Sequence, residues 1–206
     1  MAHPNQRQLD LALLDATRRG SIERLVSLLD HGANINAAID NSLTPLHIAS
    51  RRGQLQCIEL LLDRHANVNA LDYDNNTPLH LASRNGHDRC VELLLDRHAN
   101  VNAVGRYRNT PLHYPSMYGH DRCVELLLDR HADIHASNEY GNTPLHLASL
   151  WGHPGSVKSL IDHGASKSIT NVRHGEAGRL IDQGILNEYR TRMTASRLPS
   201  RTSRRL

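Results

Sequence analysis

Phenylalanine is absent from the 206 residues, and the aromatic set amounts to six Tyr and one Trp. With so few rings, the position of each is informative. Long apolar runs are missing too: none approaches the ~18 residues that a membrane-crossing helix needs, and the opening Met-Ala-His-Pro-Asn-Gln-Arg carries no apolar signal-peptide core. The chain is therefore expected inside the cell, cytoplasmic or nuclear. Recognised catalytic patterns are lacking as well. There is no Gly-x-x-x-x-Gly-Lys phosphate loop, no His-Glu-x-x-His, no paired Cys-x-x-Cys and no Gly-x-Ser-x-Gly elbow. Abundant Ser, His and Asp without a positioned nucleophile, base and orienting group make no active site, so neither catalysis nor a cofactor is expected. The three cysteines, Cys57, Cys90 and Cys123, recur at a fixed interval. Units stacked about 10 Å apart hold them beyond the ~7 Å between Cα atoms that a disulfide allows, and they read as reduced core thiols.

What is present is repetition. Thr-Pro-Leu-His occurs four times, at Thr44–His47, Thr77–His80, Thr110–His113 and Thr143–His146, each copy 33 residues after the last. A fixed period of this length marks a solenoid, in which each unit buries its apolar face only against its neighbours. Thr is a good N-cap and Pro suits the first helical position, so a first helix is predicted from each Pro, ending near Gly53, Gly86, Gly119 and Gly152. A second helix follows, with Cys90, Val91, Leu94 and Leu95 as its apolar stripe in one copy. An extended return, such as Ala99-Asn100-Val101-Asn102-Ala103, leads to the next Thr-Pro. Residues 87–99 and 120–132 are identical over 13 positions, which points to an internal duplication.

With Asn76-Thr77-Pro78-Leu79-His80-Leu81-Ala82, Gly86-His87, Val91-Glu92-Leu93-Leu94-Leu95 and Ala99-Asn100-Val101-Asn102-Ala103 in register, the chain resembles the ankyrin repeat family over roughly residues 8–175. The resemblance implies an all-α repeat solenoid, a stack of helix-turn-helix units with β-turn fingers. The divisions expected are a disordered N-terminus at 1–7, a capping repeat at 8–40, repeats at 41–73, 74–106, 107–139 and 140–172, a degenerate half-repeat at 173–189, and a basic disordered tail at 190–206.

In this family partners usually dock on the concave face, built from the finger tips and the exposed ends of the first helices. The fingers here carry Asp40, Asn41 and Leu43, then Tyr73, Asp74 and Asn76, then Arg106, Tyr107 and Asn109, then Glu139, Tyr140 and Asn142. The helix ends carry Arg51 and Arg52, Arg84 and Asn85, Met117 and Tyr118, Leu150 and Trp151. Five of the seven aromatics fall on this surface: Tyr73, Tyr107, Tyr118, Tyr140 and Trp151. Tyr, Trp, Met and Arg are the types enriched at protein interfaces. The face grades from basic (Arg51, Arg52, Arg84) to apolar (Met117, Tyr118, Leu150, Trp151), so a partner with an acidic and a hydrophobic end suits it. The competing reading is that each fingertip Tyr packs on the next finger.

Ten of the fifteen histidines occupy slots set by the repeat: four in the tetrapeptide, three after Gly at 87, 120 and 153, and three at 65, 98 and 131. The tetrapeptide His in this family is a hydrogen-bonding support for neighbouring loops. His65, His98 and His131 stand where Gly32 and Gly164 stand in the outer repeats, and a left-handed backbone is expected there. A ladder spaced by one repeat cannot converge on a metal ion with bonds of ~2.0 Å. The third tetrapeptide is faulted: Tyr114-Pro115 replaces the Ile-Ala or Leu-Ala of its siblings. Pro inside a helix costs roughly 3 kcal/mol, so a distorted helix and a weak joint are expected, with sequence drift an equal explanation.

The net charge of +3 is unevenly placed. Residues 173–206 hold eight Arg against Glu176, Asp182 and Glu188, making them +5 and leaving −2 for the rest. The tail, with Arg190, Arg192, Arg197, Arg201, Arg204 and Arg205 among Ser and Thr, cannot bury enough apolar surface to order itself. It reads either as a solvated terminus or as an electrostatic tether to nucleic acid, an anionic membrane or an import receptor. The reading reached is a monomeric, non-catalytic scaffold, adaptor or inhibitor that binds a partner protein, with a nucleic-acid or anionic-surface tether as the alternative.

Overall fold

The computed structural model describes residues 5–38 and 42–166. Asp40 and Asn41 of the first finger, the half-repeat expected at 173–189 and the basic tail at 190–206 lie outside the described residues. Among those described are ten α-helices and no β-strand: α1 (Gln6–Arg19), α2 (Ile22–Asp30), α3 (Pro45–Arg52), α4 (Leu55–Asp63), α5 (Pro78–Arg84), α6 (Asp88–Asp96), α7 (His113–Tyr118), α8 (Asp121–Asp129), α9 (Pro144–Leu150) and α10 (Pro154–Asp162). They form five pairs joined by short turns. The odd-numbered helices pack in one row, α1 on α3 and so on to α9, and the even-numbered helices in a second row.

The core runs between the two rows. Leu79 and Leu112 from the first helices, and Ile58, Val91, Val124 and Val157 with Leu61, Leu94, Leu127 and Leu160 from the second, are fully buried. Cys57, Cys90 and Cys123 are buried free thiols in this core. Burial pushes Cys57 and Cys90 up, the latter to about 11, and Cys123 is raised by burial and then by Asp88, whose carboxylate accepts its S–H at 2.9 Å.

Three of the four Thr-Pro starts are closed reciprocally. Thr77 Oγ1 accepts from the His80 N–H at 3.4 Å, while His80 Nδ1 accepts from the Thr77 N–H at 3.0 Å. The same box forms at Thr44–His47 and Thr143–His146. Histidine thus takes the part that Glu or Gln plays in the usual capping box.

The third copy departs. Helix α7 begins at His113 rather than Pro111, and the His113 N–H turns to the Thr110 carbonyl at 3.1 Å. The late start brings Pro115 into the first turn, where a missing N–H costs little. The expected distortion is therefore a shortened helix that still packs on α5, α8 and α9. Pro115→Ala should let the helix begin at Pro111 and raise the melting temperature, with a gain in stability below the ~3 kcal/mol of an interior proline. An unchanged or lower temperature in a thermal melt would mean the proline does not set the start. At the N-terminus a second correction applies: α1 opens at Gln6, capped by Asn5, so order begins before residue 7.

The left-handed slots fall where the sequence places them, with φ of 65°, 65° and 62° at His65, His98 and His131. Gly53 is needed for two reasons. Its φ is +69°, and a Cβ there would lie 2.6 Å from the ring of His87 in the next repeat. Gly86 and Gly119 meet His120 and His153 in the same way.

Several sets of bonds cross from repeat to repeat. His47, His80 and His113 donate from Nε2 to the carbonyls of Asn76, Asn109 and Asn142 at 3.0 to 3.1 Å. Gln54, His87, His120 and His153 reach the carbonyls of Arg18, Arg51, Arg84 and Met117. Asn36, Asn69 and Asn102 accept from the amides of Asn67, Asn100 and Asp133. Finally, Asp30, Asp63 and Asp96 pair with Arg64, Arg97 and Arg130 at 2.8 to 2.9 Å. These ion pairs are exposed, worth about 0.2–1 kcal/mol each; the buried histidine bonds weigh more.

Candidate protein-binding face

The candidate face is built by two kinds of element. Helix ends bring Arg51 and Arg52 to the close of α3, Arg84 and Asn85 to α5, Met117 and Tyr118 to α7, and Leu150 and Trp151 to α9. The ends of α3, α5 and α7 face the next repeat, whose histidine bonds the carbonyl of Arg51, Arg84 or Met117, so the backbone beneath this part of the face is fixed. Arg51, Arg52, Arg84 and Asn85 are exposed, and Met117 is half-buried. Trp151 is 59% exposed, Leu150 51% and Tyr118 44%.

Fingers form the second part. In the second finger Asp72 Oδ1 accepts from the amides of Asp74 and Asn76, closing the loop, and Asn138 does the same in the fourth for Tyr140 and Asn142. The third finger has Gly105 in that slot, where a Cβ would sit 2.5 Å from Asn76 Oδ1. Without a side chain to close it, this loop turns through Tyr107 and Arg108, both left-handed at φ 56° and 58°. Such a backbone costs non-glycine residues on the order of 1–2 kcal/mol each, and the neighbours hold it. The Arg106 guanidinium lies 4.6 Å over the Tyr107 ring and pairs with Asp74 at 3.2 Å. The Glu139 N–H donates to the Tyr107 carbonyl at 2.8 Å, and the Tyr107 and Tyr140 rings stand 5.8 Å apart.

The structure thus joins Asp74, Arg106, Tyr107, Glu139 and Tyr140 into one contact chain along three fingers. Tyr107 and Tyr140 pack on one another and stay partly exposed, at 42% and 37%. Tyr73 is 79% exposed. By contrast Tyr114, at 8%, is a core ring: its hydroxyl donates to Asn76 Oδ1 at 3.4 Å and it meets His80 edge-on at 6.0 Å. Sequence reasoning missed Leu71 and Val104, 54% and 56% exposed on the arms of the second and third fingers. Their shared slot, 33 residues apart, was the available signal. It also passed over Arg18 and Arg19, exposed at the end of α1.

His47, His80 and His113 hold the fingers, with both ring nitrogens of each hydrogen-bonded. In His80 and His113 burial pulls the pKa down to about 4, and in His47 it lowers it as well. Among the described residues no group of three or more His, Cys, Asp and Glu could hold a metal ion, and no helix is long and apolar enough to cross a membrane. Two open depressions among the described residues lie away from this face. One of about 640 Å³ lies at Gln6, Asp10 and Asn34, and one of about 300 Å³ lies between α4 and α6 at Glu59, Arg89 and Glu92.

A family model described as ankyrin repeats (3 copies) matches residues 13–105 and again 103–171. The chain is an ankyrin repeat protein. No curated protein matches it. Ankyrin repeats are in general protein–protein interaction modules, and the family is typically non-catalytic. The two-row stack of helix pairs and the bonded fingers are this ankyrin protein's version of that module.

Proposed function

We propose that this ankyrin repeat protein binds one partner protein on the face formed by its fingers and first-helix ends, as a scaffold, adaptor or inhibitor with no chemistry of its own. The observation that carries the reading is the fate of the aromatics. Of six described rings only Tyr114 is buried; Tyr73, Tyr107, Tyr118, Tyr140 and Trp151 are exposed, at finger and first-helix-end positions. Water-exposed aromatics at such positions do nothing for the core and are well suited to an interface. The protein acts as a monomer, in the cytoplasm or nucleus.

Replacing Tyr118 and Trp151 together by alanine should weaken the partner by at least about 2 kcal/mol, the scale of an interface hot spot, with the circular dichroism spectrum unchanged. The measurement is titration calorimetry against a purified partner recovered with the wild-type protein. Full affinity in the folded double variant would remove this face from consideration.

A second reading rests on the charge of the tail. Its arginines at 190, 192, 197, 201, 204 and 205 could tether the protein to nucleic acid or an anionic surface. The two readings part under salt. Tail-driven binding falls steeply as salt is added, and aromatic docking changes little.

A further inference from the structure

Arg18, Arg51 and Arg84 occupy one slot in three consecutive repeats, at the ends of α1, α3 and α5. Their carbonyls are held by the next repeat: Gln54 Nε2 donates to Arg18 at 3.4 Å, and His87 and His120 bond Arg51 and Arg84 at 3.2 Å. The row therefore rises by one repeat per step, about 10 Å. Arg52 adds a fourth guanidinium beside it. Among the described residues none of these four has a carboxylate within ion-pair distance; Arg84 lies only 6.0 Å over the Tyr114 ring. The even-numbered row is treated in the opposite way, since Arg64, Arg97 and Arg130 are each matched to an aspartate. Guanidiniums on the even-numbered row are neutralised rung by rung; on the other surface Arg19 pairs with Asp15 at 2.9 Å and Arg106 with Asp74 at 3.2 Å, while Arg18, Arg51, Arg52 and Arg84 are left without a carboxylate partner.

The slot then changes character. Its next two rungs are Met117 and Leu150, and the adjoining positions are Tyr118 and Trp151, so cation gives way to apolar surface between α5 and α7. We infer that the occupant is an extended acidic segment of a partner protein lying in one polarity. Its carboxylates sit over Arg18, Arg51, Arg52 and Arg84, and an apolar residue is anchored at Tyr118 and Trp151. The inference rests on the docking face proposed above and adds the partner's chemistry and direction. Five rungs span about 40 Å, the reach of about 12 extended residues. Arginine presents a planar fork that matches a carboxylate, and exposed charges of this kind set direction and association rate more than affinity. A nucleic acid suits the row less well. Its phosphates are continuous, whereas the slot carries no cation on its last two rungs, and Glu139 stands exposed on the finger beside them.

The test uses the full chain and labelled peptides of about 12 residues, with four glutamates at one end and Leu-Phe-Leu at the other, made in both orders. A thymidine oligonucleotide of equal length is the control. Anisotropy should show one order binding better than the reverse. Arg51→Glu with Arg84→Glu should weaken it about tenfold, and the emission of Trp151, the chain's single tryptophan, should shift to shorter wavelength. The inference is overturned if neither order binds, if both bind alike, if the folded charge-reversed variant binds as well as wild type, or if the oligonucleotide binds more tightly than either peptide. Loss of the partner in the Tyr118/Trp151 variant but not in the charge-reversed one would keep the docking face and end the polarity.

Discussion

Replacing His80 with alanine is expected to lower the unfolding free energy by roughly 3 kcal/mol, whereas the same change at His87 should cost about 1 kcal/mol or less. The ring of His80 is fully buried. Its Nδ1 accepts from the Thr77 amide at 3.0 Å and sits 2.9 Å from the Thr77 hydroxyl, which leaves Nε2 to carry the proton and donate to Asn109 O at 3.1 Å. Alanine would strand a buried amide and a buried carbonyl, each costing about 1–3 kcal/mol, and leave a cavity. His87 is half-buried and makes one bond across the stack, to Arg51 O at 3.2 Å, where water can substitute. Urea unfolding of both variants measures the difference. Equal losses would show that the tetrapeptide ring is not what ties one repeat to the next. Because each repeat touches only its neighbours, hydrogen exchange in the His80 variant should quicken first around α5 and the third finger.

Acidification from pH 6.5 to 4 should remove stability on the order of 3 kcal/mol for each of His80 and His113, at about 1.4 kcal/mol per pH unit per group. In the folded protein burial holds both near 4, against partial opposition from the Asn109 and Asn142 carbonyls and the charges of Asp72 and Asp133. The unfolded chain binds these protons near 6.5. Between the two values unfolding therefore takes up protons, and stability falls as pH falls. Above 6.5 the same groups contribute no slope. His47, also lowered by burial, adds in the same sense. Urea midpoints at pH 7, 6 and 5 should decline while the carboxylates are still ionised. A flat series over that range would contradict the neutral, doubly bonded rings.

Much of the fold can be read from letters because the local rules repeat. Thr followed by Pro at 44, 77 and 143 starts a helix, and the slot shared by Gly32, His65, His98, His131 and Gly164 is left-handed throughout. What crosses between repeats is less legible, since the partners of His47, His80 and His113 are backbone carbonyls, which every residue has. Asp30, Asp63 and Asp96 look like an ordinary solvated helix face until the stack sets each beside an arginine 34 positions on. The start of α7 followed from competition: the Thr110-Pro111 signal lost to the constraint imposed four residues later by Pro115. At the candidate face, the residue types could be read, and the exposure of Tyr73 and Trp151 could be anticipated from them. The pairing of Arg106 with Asp74 and Tyr107 could not, because it depends on a loop reshaped by the missing side chain at Gly105.

The seat that Gly53, Gly86 and Gly119 leave for a histidine from the following unit has an evolutionary corollary. The units at 74–106 and 107–139 each carry both the socket and the histidine plug, so recombination that gains or loses one such copy of 33 residues leaves no socket between them empty. The identical stretches at 87–99 and 120–132 mark where such an exchange can occur.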